Sequence, residues 1–200
     1  MENGEIALLH GVGEEVPSPV NREDHFKDHT TGRVIPERSI TPEKYGEFLT
    51  TFFDLWQKKD IAGMRIREFD AILRGVLGIP QRLCTFSKDC ADYYTITPDG
   101  GIYLCDCFPP SESFHAASVF DDPLEILQNS TQDAFRSRVK EPPVKCRLCE
   151  YGAICNGGCK FHRYIKDPHF GTESYYCESI RRLCSHVTSA VARETHCPPV

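Results

Sequence analysis

A chain of 200 residues with 40% hydrophobic content has room for one ordinary domain and a helical extension, and a net charge of -6 with scattered Lys and Arg offers no basic stripe to a nucleic-acid backbone. The opening Met1-Glu2-Asn3-Gly4-Glu5 has no basic region and nowhere do eighteen apolar residues follow one another, which argues against a signal peptide or membrane span and for a cytoplasmic home. In that reducing compartment eleven cysteines are poorly explained by disulfides, and the odd count leaves one unpaired, so metal or iron-sulfur ligation is favoured.

Residues 1–38 read as an irregular lead-in: after Ile6-Ala7-Leu8-Leu9 comes a stretch rich in Gly, Pro, Asp, Glu and His without periodicity. His25 and His29 stand four apart but lack a helical pattern and a third ligand, and receive no role. Thr41-Pro42-Glu43 then supplies an N-cap hydroxyl, a proline at the first helical position and an acid in the first turn. A helix is expected from about Pro42 to Lys58, with Tyr45, Phe48, Leu49, Phe52 and Trp56 on its buried face. A second, from about Arg67 to Leu77, presents Phe69, Ile72, Leu73, Val76 and Leu77 and stops at Gly78-Ile79-Pro80. Residues 39–80 thus read as a helical linker able to clamp a neighbouring domain.

From residue 81 to 192 the chain is cysteine-rich. The β-prone runs Tyr93–Thr97 and Ile102–Cys105 flank Pro98-Asp99-Gly100-Gly101, which has turn chemistry, so a hairpin is expected that carries Cys105 back towards Cys90. Asp122-Pro123-Leu124-Glu125 opens a short helix, and another follows Ser130 and carries Phe135. A last helix, about Tyr175 to Ala192, shows Ile180, Leu183, Val187 and Val191 at helical spacing and packs back on the cysteine loops; 193–200 form a tail. The expected class is α+β.

The chemistry lies in Cys146-x2-Cys149-x5-Cys155-x3-Cys159 followed by Cys177, with Cys84, Cys90 and Cys105 ahead of it. A [4Fe-4S] cluster takes one thiolate on each iron, so these eight thiols suit two clusters. In two-cluster ferredoxins the fourth cysteine of a compact run joins the other cluster. Applied here, Cys146, Cys149, Cys155 and Cys177 hold one cluster, while Cys159 crosses to Cys84, Cys90 and Cys105 on the other. Gly157-Gly158 permit the tight path between Cys155 and Cys159 and leave amides near sulfur. A structural zinc protein is the competing reading, because Cys-x2-Cys pairs also suit tetrahedral zinc, although the x5 and x3 spacings fit it poorly.

This pattern resembles the SPASM domain at the carboxyl end of radical SAM peptide and protein maturases. It is most similar to the anaerobic sulfatase-maturating enzymes and ribosomal-peptide maturases, through Cys84, Thr41-Pro42-Glu43-Lys44-Tyr45-Gly46 with Phe48-Leu49, and Tyr175-Tyr176-Cys177-Glu178. The resemblance implies two auxiliary [4Fe-4S] clusters, each fully ligated by cysteine, and a peptide or protein substrate. It also implies that Asp106, directly after the third ligand of the first cluster, takes a proton from the substrate radical; capping the strand end is the alternative. The resemblance includes sulfatase maturation among the implied activities, but the family usually continues with histidine and phenylalanine where this chain has Cys107-Phe108, a departure beside Asp106 that sets this chain apart from the sulfatase-specific pattern. Cys107, Cys184 and Cys197 are surplus to the two clusters, and for Cys184 and Cys197 a buried or tail thiol is expected. The Cys-x3-Cys-x2-Cys loop that holds the catalytic cluster and binds S-adenosylmethionine is absent from the sequence. The chain therefore reads as the carboxyl part or a split half of a radical SAM maturase, its barrel supplied in cis or in trans and alone carrying S-adenosylmethionine and a third [4Fe-4S] cluster. A stand-alone electron carrier or peptide-binding module is the alternative.

Overall fold

The computed structural model describes residues 39–80, 83–88, 93–108, 111–124 and 130–195. The lead-in, His25, His29, Cys90 and Cys197 lie outside these residues.

Helix α1 (Pro42–Lys59) begins as its sequence dictates: Thr41 is the N-cap, its hydroxyl accepts from the Lys44 amide at 3.4 Å, and Pro42 fills the first turn. Helix α2 (Arg67–Val76) ends where Gly78 takes a positive φ of 69° and the Ile79 amide returns to the Arg74 carbonyl at 2.7 Å. The final helix runs over Cys177–Thr195, three residues beyond the expected end and starting two later. These three helices share one core of Leu49, Phe53, Trp56, Phe69, Ile72, Leu183, Cys184, Val187 and Ala190, so the segment expected as a linker is packed into the same body as the final helix.

The buried face of α1 differs from the periodic reading. Phe53 replaces Phe52 in the seam, and Phe48 and Phe52 are 54% and 37% exposed. The cause is the close approach of the final helix: a Cβ at Gly46 would stand 3.2 Å from the Ser179 Cα, which aligns Gly46, Leu49, Phe53 and Trp56 with the contact. Phe52 instead meets Phe69 edge-on at 5.4 Å.

Strands β1 (Tyr94–Ile96) and β2 (Gly101–Leu104) form the expected hairpin, with Tyr94 opposite Leu104 and Ile96 opposite Ile102. A third strand, β3 (His115–Ser118), pairs antiparallel with the other side of β2 across a bulge at Ile102/Tyr103. Behind the sheet a second core gathers Leu104, Phe108, Phe114, Phe135, Val139 and Phe170, fed by helix α3 (Ser130–Val139). The turn opening at Asp122, whose carboxylate accepts from the Leu124 amide at 2.7 Å, runs into residues outside those described. The architecture is α+β. Among the described residues no helix is long and apolar enough to cross a membrane.

Phe69, fully buried, touches the rings of Phe52, Phe53 and Trp56. Phe69→Ala is expected to cost about 3–5 kcal/mol through lost burial and the cavity left behind, measured by chemical denaturation against the parent chain.

Candidate metal centres

Between the two cores lie three short helices that carry the compact cysteine run. They are α4 (Val144–Arg147), α5 (Gly152–Cys155) and α6 (Lys160–Tyr164), so the final helix is α7. Tyr151, Ile154 and Cys155 pack on the first core, and Phe161 and Tyr164 on the second. The loop joining α5 to α6 therefore spans both. It reverses direction through three consecutive left-handed residues, Asn156 (φ 48°), Gly157 (81°) and Gly158 (72°). Gly158 must be small as well as left-handed, since a Cβ there would meet the Ser174 side chain at 3.2 Å.

Cys146, Cys149, Cys155 and Cys177 line a single open-mouthed cavity of about 400 Å³, walled further by Gly157, Gly158 and Ser174. Burial pushes the Cys146 thiol up to about 11, and the neighbouring Cys155 and Cys177 add to it. Cys155 and Cys177 are raised by burial too, each further by other thiols of the set, while the Gly157 amide acts in the opposite sense on Cys155. Thiols raised in this way become thiolates together only with a cation among them.

Cys159, on the far side of the reversal, answers to a different set: burial raises its thiol, opposed by the amides of His162 and Phe161, and its charged neighbours are Cys105 and Cys84. Cys84 opens a 3-10 turn, Cys84–Phe86, which is tied to the reversing loop. The Asn156 amide group donates to the Phe86 carbonyl at 2.7 Å and the Lys160 ammonium to the Ser87 carbonyl at 3.3 Å. Cys105 leaves β2 with a left-handed φ of 63°, its amide donating to the Tyr93 carbonyl at 2.9 Å, so the hairpin returns it to the strand entry. Hydrogen bonding from Cys107 holds the Cys105 thiol down to about 7, and Cys107 is pushed up in return. The described thiols thus fall into two sets, with Cys159 beside Cys84 and Cys105; Cys90 lies outside the described residues.

Asp106 is exposed, and its carboxylate accepts from the thiols of Cys105 at 3.5 Å and Cys107 at 3.6 Å. Cys105, Asp106 and Cys107 are the one group among the described residues whose three ligand atoms lie within 4.8 Å of one another, the spacing a single ion demands. The cavity set has no such triple, whereas four thiolates on one tetrahedral zinc stand about 3.8 Å apart. Cys184 is fully buried in the first core, where burial raises its thiol.

Two residues escaped the sequence reading. Lys160 and Arg163 are each 1% exposed. Lys160 ties down the loop, donating also to the carbonyls of Asn156 and Gly158 at 3.4 and 3.5 Å. Arg163 donates to the Phe170 carbonyl, and its Nε and Nη1 are buried without a partner. A buried guanidinium with orphaned donors fits a centre that carries negative charge, as an iron-sulfur cluster on four thiolates does. The signal was available, since both cations follow Cys159 within four residues.

Comparison with known proteins agrees with this region. Residues 84–150 match the SPASM family, described as an iron-sulfur cluster-binding domain. The chain is 29% identical over 158 residues to the serine-type anaerobic sulfatase-maturating enzyme of Bacteroides thetaiotaomicron, covering 77% of this chain and 38% of that enzyme. It is 27% identical over 148 residues to the cysteine-type enzyme of Clostridium perfringens, covering 72% and 40%. Among solved structures it superposes on native anSMEcpe with bound AdoMet at a TM-score of 0.69 and 23% identity, over 80% of this chain and 44% of that one. The same protein with bound AdoMet and Kp18Cys peptide gives 0.68 at 23% identity, over 80% and 45%. The resemblance to the SPASM region of these maturases holds in sequence and in fold, and the chain spans about two fifths of the length of the curated relatives it matches.

Two substitutions test the framework around the cavity. A Cβ on Gly152 would sit 2.3 Å from the Cys146 carbonyl oxygen, so Gly152→Ala is expected to lower stability by about 1–3 kcal/mol, read from the denaturation midpoint. Glu173 joins Lys166 at 2.7 Å and Lys145 at 3.0 Å, and hydrogen bonds from Lys166 and then Lys145 hold its carboxyl down to about 2. A depressed carboxylate stabilises the fold above its ordinary value near 4.5 and loses that contribution as pH falls through about 2. The stability gap between the parent chain and Glu173→Gln should follow this curve in denaturation at a series of pH values; a gap of constant size down to the lowest pH contradicts it.

Proposed function

We propose that this chain is the auxiliary iron-sulfur part of a radical SAM peptide or protein maturase, working with a radical SAM barrel in the same polypeptide or a separate one. The observation that carries the reading is the single cavity into which Cys146, Cys149, Cys155 and Cys177 converge from three different elements. Cys84, Cys90, Cys105 and Cys159 would hold the second cluster, a choice supported by the placing of Cys159 beside Cys84 and Cys105. Clusters bound at these thiols would supply one-electron acceptance, and the exposed Asp106 beside Cys105 would take the proton released from an oxidised substrate carbon. The peptide-bound state of a similar maturase supports a peptide substrate. The barrel would bring S-adenosylmethionine and its own cluster. A cytoplasmic setting suits the set of unpaired thiols.

Iron, zinc and acid-labile sulfide per chain after anaerobic preparation test the reading. About eight iron and eight sulfide are expected, as two four-cysteine cubane clusters require. Cys146→Ala and Cys105→Ala are each expected to lose about half of both, whereas Asp106→Asn keeps all of it and slows maturation by about 10²–10⁴-fold in the assembled enzyme. About two zinc without sulfide would establish a structural zinc module instead.

A further inference from the structure

We infer that Arg163 is the built-in counter-charge of the Cys146, Cys149, Cys155 and Cys177 site, where its guanidinium stabilises a bound cluster and raises that cluster's reduction potential. The inference rests on the cluster reading above.

Arg163 is 1% exposed, and only its Nη2 has a protein acceptor, the Phe170 carbonyl. Its Nε and Nη1 are buried and unpartnered. The group lies directly behind the cavity wall: a Cβ placed on Gly157 would be 3.9 Å from Nη1, and Gly157 lines the cavity. The acid in its neighbourhood, Asp167, is occupied by the amides of His169 at 2.9 Å and Gly171 at 2.8 Å. Lys160, the neighbouring buried cation, spends its ammonium on the carbonyls of Ser87, Asn156 and Gly158. Arg163 is thus the buried cation whose donors are left over on the cavity side.

A guanidinium does not shed its proton in a protein, so burial cannot neutralise it. Left without an anion, it imposes a desolvation penalty on the fold, and each orphaned N–H adds to that. A cluster on four thiolates is a net anion, and one added electron makes it more negative. A nearby buried cation therefore favours the reduced form over the oxidised one, because Coulomb attraction is strong where water is excluded. Net charge and hydrogen bonding at the sulfurs are the terms that set such potentials.

The test uses the full chain loaded with iron and sulfide and titrated with dithionite under EPR. It compares the parent with Arg163→Met, which removes the charge at similar length, and Arg163→Lys, which keeps it. The methionine variant is expected to move one of the two midpoint potentials negative by at least a tenfold change in the one-electron equilibrium, 59 mV, while the other potential and both potentials of the lysine variant stay near the parent's. Unmoved potentials in Arg163→Met, or an equal shift in Arg163→Lys, overturn the inference. If Arg163→Met does not retain the cluster, the cluster-free chains decide: relief of an orphaned charge makes Arg163→Met more stable than the parent, and an equal or lower stability overturns the inference. A parent chain that binds neither iron nor sulfide overturns the cluster reading and the counter-charge with it, an outcome distinct from loaded chains with unmoved potentials.

Discussion

The structure turns on one chain reversal. Asn156, Gly157 and Gly158 all adopt left-handed backbone, and this lets Cys155 and Cys159, four residues apart, face different sets of thiols. A continuous helix would place residues i and i+4 on the same face and send both sulfurs to one site. The reversal needs support from both sides, and it has it: Ile154 and Cys155 are anchored in the three-helix core, and Phe161 and Tyr164 in the aromatic core behind the sheet. Each core fixes one end of the loop. Loss of packing in either would therefore be felt as a displaced ligand as much as lost stability.

Charge is the second constraint, and on the proposed reading it couples folding to loading. Burial raises the thiols of Cys146, Cys155 and Cys177, and other thiols of the cavity raise each of them further, which favours their protonated forms in the cluster-free protein. The same interior contains Lys160 and Arg163, each 1% exposed. Buried cations beside buried neutral thiols are mismatched; buried cations beside thiolates on a cluster are matched. Assembly that releases the thiol protons would repair the mismatch, and its free energy would then appear as folding stability.

Much of this was legible in the sequence, for reasons that differ by element. Helix α1 was clear because its cap is local: Thr41, Pro42 and Glu43 satisfy the first turn wherever the helix docks. Its buried face was not, because Phe52 and Phe53 fit nearly the same periodicity and the choice is made by Gly46 meeting the final helix. The hairpin was readable from its turn, whereas β3 was missed: His115-Ala-Ala-Ser118 has weak strand propensity and exists because β2 offers it an edge. Helices of four or five residues, α4 to α6, are too short to show a period. The thiol spacing could be read because short covalent reach limits which sulfurs can meet. Lys160 and Arg163 read as ordinary surface cations until the fold buried them, although their position just after Cys159 set them apart.

The two sites also differ in the groups that flank them, an exposed carboxylate at one and a buried guanidinium at the other, and on the proposed reading that difference assigns them different work. A base that accepts a proton from a bound substrate must be reached by that substrate and must return the proton to water. Asp106 meets both needs, being exposed and adjacent to Cys105 and the exposed Cys107. The Cys146 set is backed differently: Cys146 is buried, α7 contributes Cys177, and the buried guanidinium of Arg163 sits behind the wall at Gly157. An electron taken up beside Asp106 would find there a site stabilised by positive charge and separated from the first by little more than the Cys155–Cys159 loop. The loop that divides the thiols into two sets is thus also the shortest covalent path between them.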